Sequence, residues 1–74
     1  MPSTEYEGVK FSRRRRNDQG FWAHDIIGQW GDRLGQIVLA AGEYVASFDD
    51  GEERRFYTLN AARDWVREAD RRSS

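Results

Sequence analysis

Four consecutive arginines, Arg13 to Arg16, are the residues whose types and spacing most directly suggest chemistry. The planar guanidinium group is suited to bidentate contacts with carboxylate or phosphate. Side chains alternate along a strand, so Arg13 and Arg15 should face one way and Arg14 and Arg16 the other. The run is therefore either a clamp for phosphates or partner acids, or the charged end of a hairpin that keeps an edge strand from aggregating.

His24 and Asp25 are the other residues whose types could support catalysis. Neighbours on a strand point to opposite faces, so this pair does not form a convergent acid–base set. The acidic cluster Asp49 to Glu53 lacks the spaced ligands of a calcium loop, and the seven glycines form no phosphate-binding motif. We expect no enzymatic activity, no metal site and no cofactor.

The charge balance narrows the class of partner. The 74 residues carry a net charge of −1 with 34% charged residues, whereas dedicated DNA-binding domains are usually strongly basic. Basic residues concentrate at Lys10 and Arg13 to Arg16, and acidic residues at Asp49 to Glu53. Such a dipolar distribution suits protein partners as well as nucleic acid.

Other features of the composition bear on the cellular location and the stability of the protein. The chain has no cysteine, no apolar run long enough to cross a bilayer and no apolar leader, so we expect a cytoplasmic protein without a membrane partner. A core this small contributes only about 3–5 kcal/mol of net stability. A homodimer would add buried area, although nothing in the sequence requires one.

The hydrophobic pattern predicts antiparallel strands followed by one helix. Strands are predicted over residues 6–16, 21–27, 36–41 and 43–48, with a further short strand after residue 52. Turns or loops are predicted over residues 17–20, 28–35 and 49–52, and Gly42 should end the strand before it. We expect one domain over residues 6–70, with disordered tails over residues 1–5 and 71–74.

The clearest turn is Asp49 to Glu52. A type I turn closed by Gly51 in the left-handed conformation leaves a three-residue loop, which we prefer to a two-residue loop because it gathers the aromatic residues on one side. One face then carries Tyr44, Ala46, Phe48 and Phe56. The opposite face carries Val45, Ser47, Arg55 and Tyr57.

The last element is predicted to be an amphipathic helix capped by Thr58. Its apolar positions fall in one stripe at 3.6 residues per turn: Leu59, Ala62, Trp65, Val66 and Ala69. The helix should place Trp65 on the aromatic face of the sheet and fray over Asp70 to Ser74. The fold class is therefore α+β, an antiparallel meander of three to five strands with one C-terminal helix packed on a sheet face.

The stretch Gly42 to Val66 has the order aromatic-x-Ala-x-aromatic, a glycine turn, then Phe-x-Thr-x-x-x-Ala-x-x-Trp. The matching residues are Tyr44, Ala46, Phe48, Phe56, Thr58, Ala62 and Trp65. This order resembles the arm-type DNA-binding domain at the N-terminus of phage and transposon tyrosine recombinases. The resemblance implies that Phe56, Ala62 and Trp65 are core residues. It also implies that the opposite sheet face, with Ser47, Arg55 and Tyr57, reads DNA.

A second segment, "GDRLGQIV" followed by "YVASFDDGEERRFY", is similar to the strand–turn–strand rhythm of small SH3-like barrels of the Tudor kind. Five short strands could close such a barrel, although a regular C-terminal helix is less typical of that family.

Two classes of function fit these observations. The first is a small non-enzymatic protein-interaction module, such as a phage or mobile-element accessory protein that engages a host or viral complex through a charged surface. The alternative is a nucleic-acid-binding module with the arginine hairpin on phosphates and the outer sheet face in a groove. The candidate binding residues are the same in both: Arg13, Arg14, Arg15, Arg16, Arg55 and Tyr57. The near-neutral charge favours a protein partner, and nucleic acid is the second expectation.

Overall fold

The computed structural model describes residues 8–73, with side chains through residue 72. The elements are β1 (Lys10–Phe11), β2 (Arg15–Arg16), β3 (Trp22–Ile27), β4 (Arg33–Ala40), β5 (Glu43–Phe48), β6 (Glu53–Phe56) and α1 (Leu59–Ser73). They form an open antiparallel sheet with one helix on it, which confirms the α+β prediction. The predicted tail over residues 1–5, the predicted strand start at Tyr6 and the last residue, Ser74, lie outside the described residues.

The sheet has the order β1–β3–β4–β5–β6, with β2 also paired to β3. The first predicted strand is wrong in one respect, because a β-bulge divides it into β1 and β2. Phe11 pairs with Ile26, but Arg15 pairs with Ala23, so the arginine strand contains one extra residue between these pairs. Ser12 holds the bulge in place: its N–H donates to the Asp25 carbonyl, and its hydroxyl accepts from the Asp25 N–H at 2.8 Å.

The predicted loop over residues 28–35 is shorter than expected, because β4 begins at Arg33. The Gly28 N–H donates to the Asp32 carbonyl at 2.7 Å and closes the turn. Gly35 is a strand residue, and it is glycine because β5 approaches closely. A Cβ at this position would collide with the Ser47 carbonyl oxygen and would lie 2.8 Å from the Phe48 Cα.

The turn between β4 and β5 contains two residues, Ala41 and Gly42. Their φ angles are 52° and 78°, which fits the positive φ at both positions of a type I′ turn. The strand predicted over residues 36–41 is therefore one residue too long at its end, because Ala41 belongs to the turn.

The hairpin of β5 and β6 confirms the predicted three-residue loop. The Phe48 N–H donates to the Glu52 carbonyl at 2.8 Å, and Gly51 has a φ of 106°. Tyr44 consequently pairs with Phe56, and Val45 pairs with Arg55, as the preferred register requires.

The helix packs its apolar stripe on the sheet. The Thr58 hydroxyl accepts a hydrogen bond from the Ala61 N–H at 3.1 Å, so Thr58 caps the helix as predicted. The Trp65 ring lies 5.5 Å from the ring centroid of Phe48 and 5.9 Å from that of Phe56, which confirms its place on the aromatic face. The buried core residues are Val9, Ile26, Ile37, Ala46, Ala62 and Val66.

The helix continues through the segment where the sequence predicts fraying and reaches Ser73. Arg71 and Arg72 lie in its last turn, where positive charge interacts favourably with the helix dipole. Within residues 8–73, no helix has the length and apolar character needed to cross a membrane.

Candidate interaction surface

The bulge and the strand alternation distribute the arginine run over two faces of the sheet. Arg15 points to the face opposite the helix, where it pairs with Asp25. Arg14 and Arg16 point the other way, and their guanidinium carbons lie 4.8 Å and 4.7 Å from the centroid of one Trp22 ring. The run is therefore not one clamp.

The outer face, meaning the sheet face opposite the helix, carries a chain of ion pairs. Asp25 Oδ2 accepts from Arg15 Nη2 at 2.7 Å and from Arg15 Nε at 3.1 Å. Asp25 Oδ1 lies 3.4 Å from Arg33 Nε, and Arg33 Nη1 lies 3.0 Å from Asp49 Oδ1. The arginine charges on this face are consequently offset by carboxylates.

These pairs also determine the protonation of Asp25. Partial burial alone would raise the pKa of Asp25, but the hydrogen bonds and positive charges of Arg15, followed by those of Arg33, outweigh it and leave the pKa lowered. The Asp25 carboxylate therefore stays ionised at pH values below the ordinary pKa of an aspartate. Its role is structural, because it links the side chains of Arg15 on β2 and Arg33 on β4 to β3.

The other predicted binding residues do not converge on Arg15. Arg55 lies on β6, at the opposite edge of the sheet from β2, so the two are separated by four strand spacings, about 19 Å. Arg55 Nη1 lies 3.8 Å from Glu43 Oε1, a loose pair at a side chain that is 71% exposed. Tyr57 follows β6 and is 83% exposed, and Arg13 is exposed in the bulge.

A row of paired residues crosses the helix-bearing face at the level of Trp22. The row follows the strand register and consists of Arg16, Trp22, Leu39, Tyr44 and Phe56. The neighbouring row contains Ile37 and Ala46, which are both completely buried in the core cluster that includes Ala62 and Val66 of the helix. The helix leaves the Trp22 end of the first row uncovered, so Trp22 remains 38% exposed.

A small cavity of about 90 Å³ opens beside this tryptophan. It has room for about three water molecules. Its lining residues are Arg14, Trp22, His24, Ile37, Leu39, Tyr44 and Leu59. We call the surface formed by Arg14, Arg16, Trp22, Leu39 and Tyr44 the Trp22 patch.

His24 borders the cavity but serves the fold. Its Nδ1 lies 2.8 Å from the Ser12 carbonyl oxygen, which can only accept, so the proton is assigned to Nδ1. This hydrogen bond ties the bulge to β3. Asp25 points to the other face, so His24 and Asp25 do not act as a pair, as the alternation predicts.

The Trp22 patch differs from the outer face in its electrostatics. Within residues 8–72, neither Arg14 nor Arg16 has a carboxylate at ion-pair distance. Arg16 Nη1 donates to the Gly20 carbonyl at 2.9 Å, which fixes its side chain over the ring. The patch therefore combines an exposed aromatic ring, a cavity with apolar lining and two cations that have no acidic partner among residues 8–72.

The acidic turn forms a second, larger cavity at the other end of the helix, with a volume of about 300 Å³. Its carboxylates are those of Asp49, Asp50, Glu52 and Asp70, and Arg33 already neutralises part of this charge through Asp49. Among the described residues, no three histidine or carboxylate side chains are grouped to hold a metal ion.

Comparisons with protein-family models, with curated proteins and with solved structures give no significant match for this chain. The resemblances to recombinase arm domains and to Tudor-like barrels stay predictions. Sequence reasoning did not include Trp22 among the binding residues. The available signal was that Trp22 and Arg16 face the same side of the hairpin, but the exposure of Trp22 depends on how far the helix covers the sheet.

Proposed function

We propose that this protein is a small non-enzymatic protein-interaction module and that the Trp22 patch is its contact surface. The observation that carries the proposal is the exposed Trp22 ring beneath two arginines that have no carboxylate partner in the described part of the chain. Tryptophan, tyrosine and arginine are the residues that most often dominate the energetics of protein interfaces. The Trp22 patch has one tryptophan, one tyrosine and two arginines beside the cavity.

The outer face is a weaker candidate for the interface. Arg15, Arg33 and Arg55 each have a carboxylate neighbour there, so a phosphate would have to compete with an existing partner. The net charge of −1 is a further argument against phosphate binding, because non-specific affinity for nucleic acid depends on neutralising phosphates.

A nucleic-acid-binding module is the second candidate. It is favoured by Arg13, Arg14 and Arg16, which are all exposed, and by the Trp22 ring beside Arg14 and Arg16. Single-stranded nucleic acid is commonly held by basic grooves with stacking aromatic residues. On this alternative, Arg55 and Tyr57 would provide a separate contact at the far edge of the sheet. The role as a phage or mobile-element accessory protein also stays a prediction.

The proposal can be tested by capture from lysates of the source cells, prepared with and without nuclease treatment. The immobilised baits are the wild type, a patch variant with R14E and R16E, and an outer-face variant with R55E as a control for charge reversal away from the patch. We expect a protein that is retained by the wild type and by R55E and is lost from R14E/R16E. Equal retention by all three baits would contradict the patch as the interface, and binding that disappears with nuclease treatment would support the nucleic-acid alternative.

A further inference from the structure

We propose that the Trp22 patch binds an acidic peptide segment that inserts one branched aliphatic side chain into the adjacent cavity. This inference rests on the proposed function and adds to it the chemistry of the partner. Three features of the patch support it: its charge, its shape and the arrangement around the Trp22 ring.

The positive charge of the patch favours a partner that carries carboxylates. The guanidinium carbons of Arg14 and Arg16 lie 4.8 Å and 4.7 Å from the Trp22 ring centroid, and within residues 8–72 neither arginine has a carboxylate at ion-pair distance. An arginine that stacks through its plane keeps N–H donors at its edge, which match a carboxylate in a bidentate geometry. The Arg16 contact to the Gly20 carbonyl holds one of these groups in place, which reduces the entropy lost on binding.

The cavity favours an apolar side chain of the partner, which would anchor the segment. It measures about 90 Å³, and its apolar lining includes the buried Ile37 and the half-buried Leu39 and Tyr44. Water in an apolar cavity is poorly held, and an apolar group that displaces it gains affinity. A leucine or isoleucine side chain provides that group, and a flanking carboxylate can pair with Arg14, which also lines the cavity.

The same geometry disfavours a nucleobase. Two guanidinium groups already occupy positions over the Trp22 ring, so a base would have to displace one of them to stack. A long polyanion would also meet the acidic turn from Asp49 to Glu53 elsewhere on this small surface. A short acidic segment needs to contact only the patch.

Calorimetric titration with synthetic peptides tests the inference. The probe is a short peptide with one central leucine flanked by glutamates, and the matched probes replace the leucine with alanine or the glutamates with lysines. We expect saturable binding of the leucine peptide that salt weakens, weaker binding of the alanine peptide and no binding of the lysine peptide. In the R14Q/R16Q variant the dissociation constant should rise about tenfold, because two exposed charge pairs are lost.

The control variant is R54Q/R55Q, which removes two exposed arginines from the edge strand β6 and should leave the affinity unchanged. Leu39→Ala tests the anchor separately, and it should weaken the leucine peptide but not change the residual affinity of the alanine peptide. Equal binding by the wild type and R14Q/R16Q, or tighter binding of a random single-stranded oligonucleotide than of the peptide, would overturn the inference.

The outcome also separates this inference from the proposed function. A native partner that is captured through the Trp22 patch, combined with no binding of the glutamate–leucine peptide, would refute the acidic segment and leave the interaction module intact. Capture that ignores the patch variants would refute the proposed function itself.

Discussion

Replacing Asp25 with asparagine should destabilise the fold through the outer-face ion pairs and through nothing else. The Asp25 side chain is 14% exposed and connects Arg15 on β2 with Arg33 on β4. Asparagine keeps the size and shape of the side chain and removes the negative charge. The variant therefore isolates the electrostatic part of the interaction.

The expected loss is about 1 kcal/mol. Exposed ion pairs contribute about 0.2–1 kcal/mol each. The Arg15 pair belongs at the upper end because two N–H groups converge on one oxygen, and the 3.4 Å contact from Arg33 belongs at the lower end. Both arginines are about half exposed, so solvent limits the gain. With a urea dependence of roughly 1 kcal/mol per molar for so small a domain, the unfolding midpoint should fall by about 1 M.

The effect should depend on pH in one direction. The pKa of Asp25 is raised by burial, but Arg15 and Arg33 lower it more, so its net shift is downward. The folded state therefore binds this proton less readily than the unfolded state. The stabilisation is present above the ordinary aspartate pKa of about 3.9, and it is lost as the pH falls through the lower pKa of the folded protein.

Urea unfolding of the wild type and D25N, followed by circular dichroism at neutral pH and at about pH 2.5, measures both expectations. The two proteins should differ at neutral pH and converge in acid, and high salt should reduce the difference. Asp49→Asn is the matched control: the Asp49 side chain is 59% exposed and, within residues 8–72, forms an ion pair with Arg33 alone, so its effect should be a few tenths of a kcal/mol. An equal loss from D25N at both pH values would refute the ion-pair explanation.

Three further substitutions test the fold. Trp65→Ala should cost about 3 kcal/mol, which is close to the total stability, and a folded variant in circular dichroism would contradict the packing of Trp65 on Phe48. Gly35→Ala should destabilise the protein by at least about 2 kcal/mol in urea unfolding, because its Cβ collides with the Ser47 carbonyl. Ala41→Gly should raise the thermal midpoint, with a gain of about 0.5–1 kcal/mol, because it removes an alanine with a φ of 52°; an unchanged midpoint would contradict that strain.

The sequence was sufficient where local chemistry decides the structure. Gly51 determines the three-residue loop, and that loop determines which residues of β5 and β6 share a face. The apolar stripe and the Thr58 cap determine the helix. These features depend on neighbours within a few positions, so their pattern is visible in the sequence.

The candidate site was less predictable because it depends on contacts between distant strands. The bulge at Ser12 exists because its hydroxyl and carbonyl are bound by Asp25 and His24 on β3. The pairing of Arg15 with Asp25, which removes it from the candidate clamp, follows from that register. Trp22 is exposed because the helix does not cover its end of the row, a tertiary feature that no local pattern encodes.

The most direct test of the Trp22 patch as the binding surface is an amide and indole NMR titration of the labelled protein at low salt. One sample receives the glutamate-flanked leucine peptide, and a second receives random double-stranded DNA. We predict that the peptide shifts the Trp22 indole signal and the amides of Leu39 and Tyr44, and that DNA shifts them less. Larger shifts with DNA, centred on Arg13 to Arg16, Arg55 and Tyr57, would contradict the account and identify a nucleic-acid-binding module.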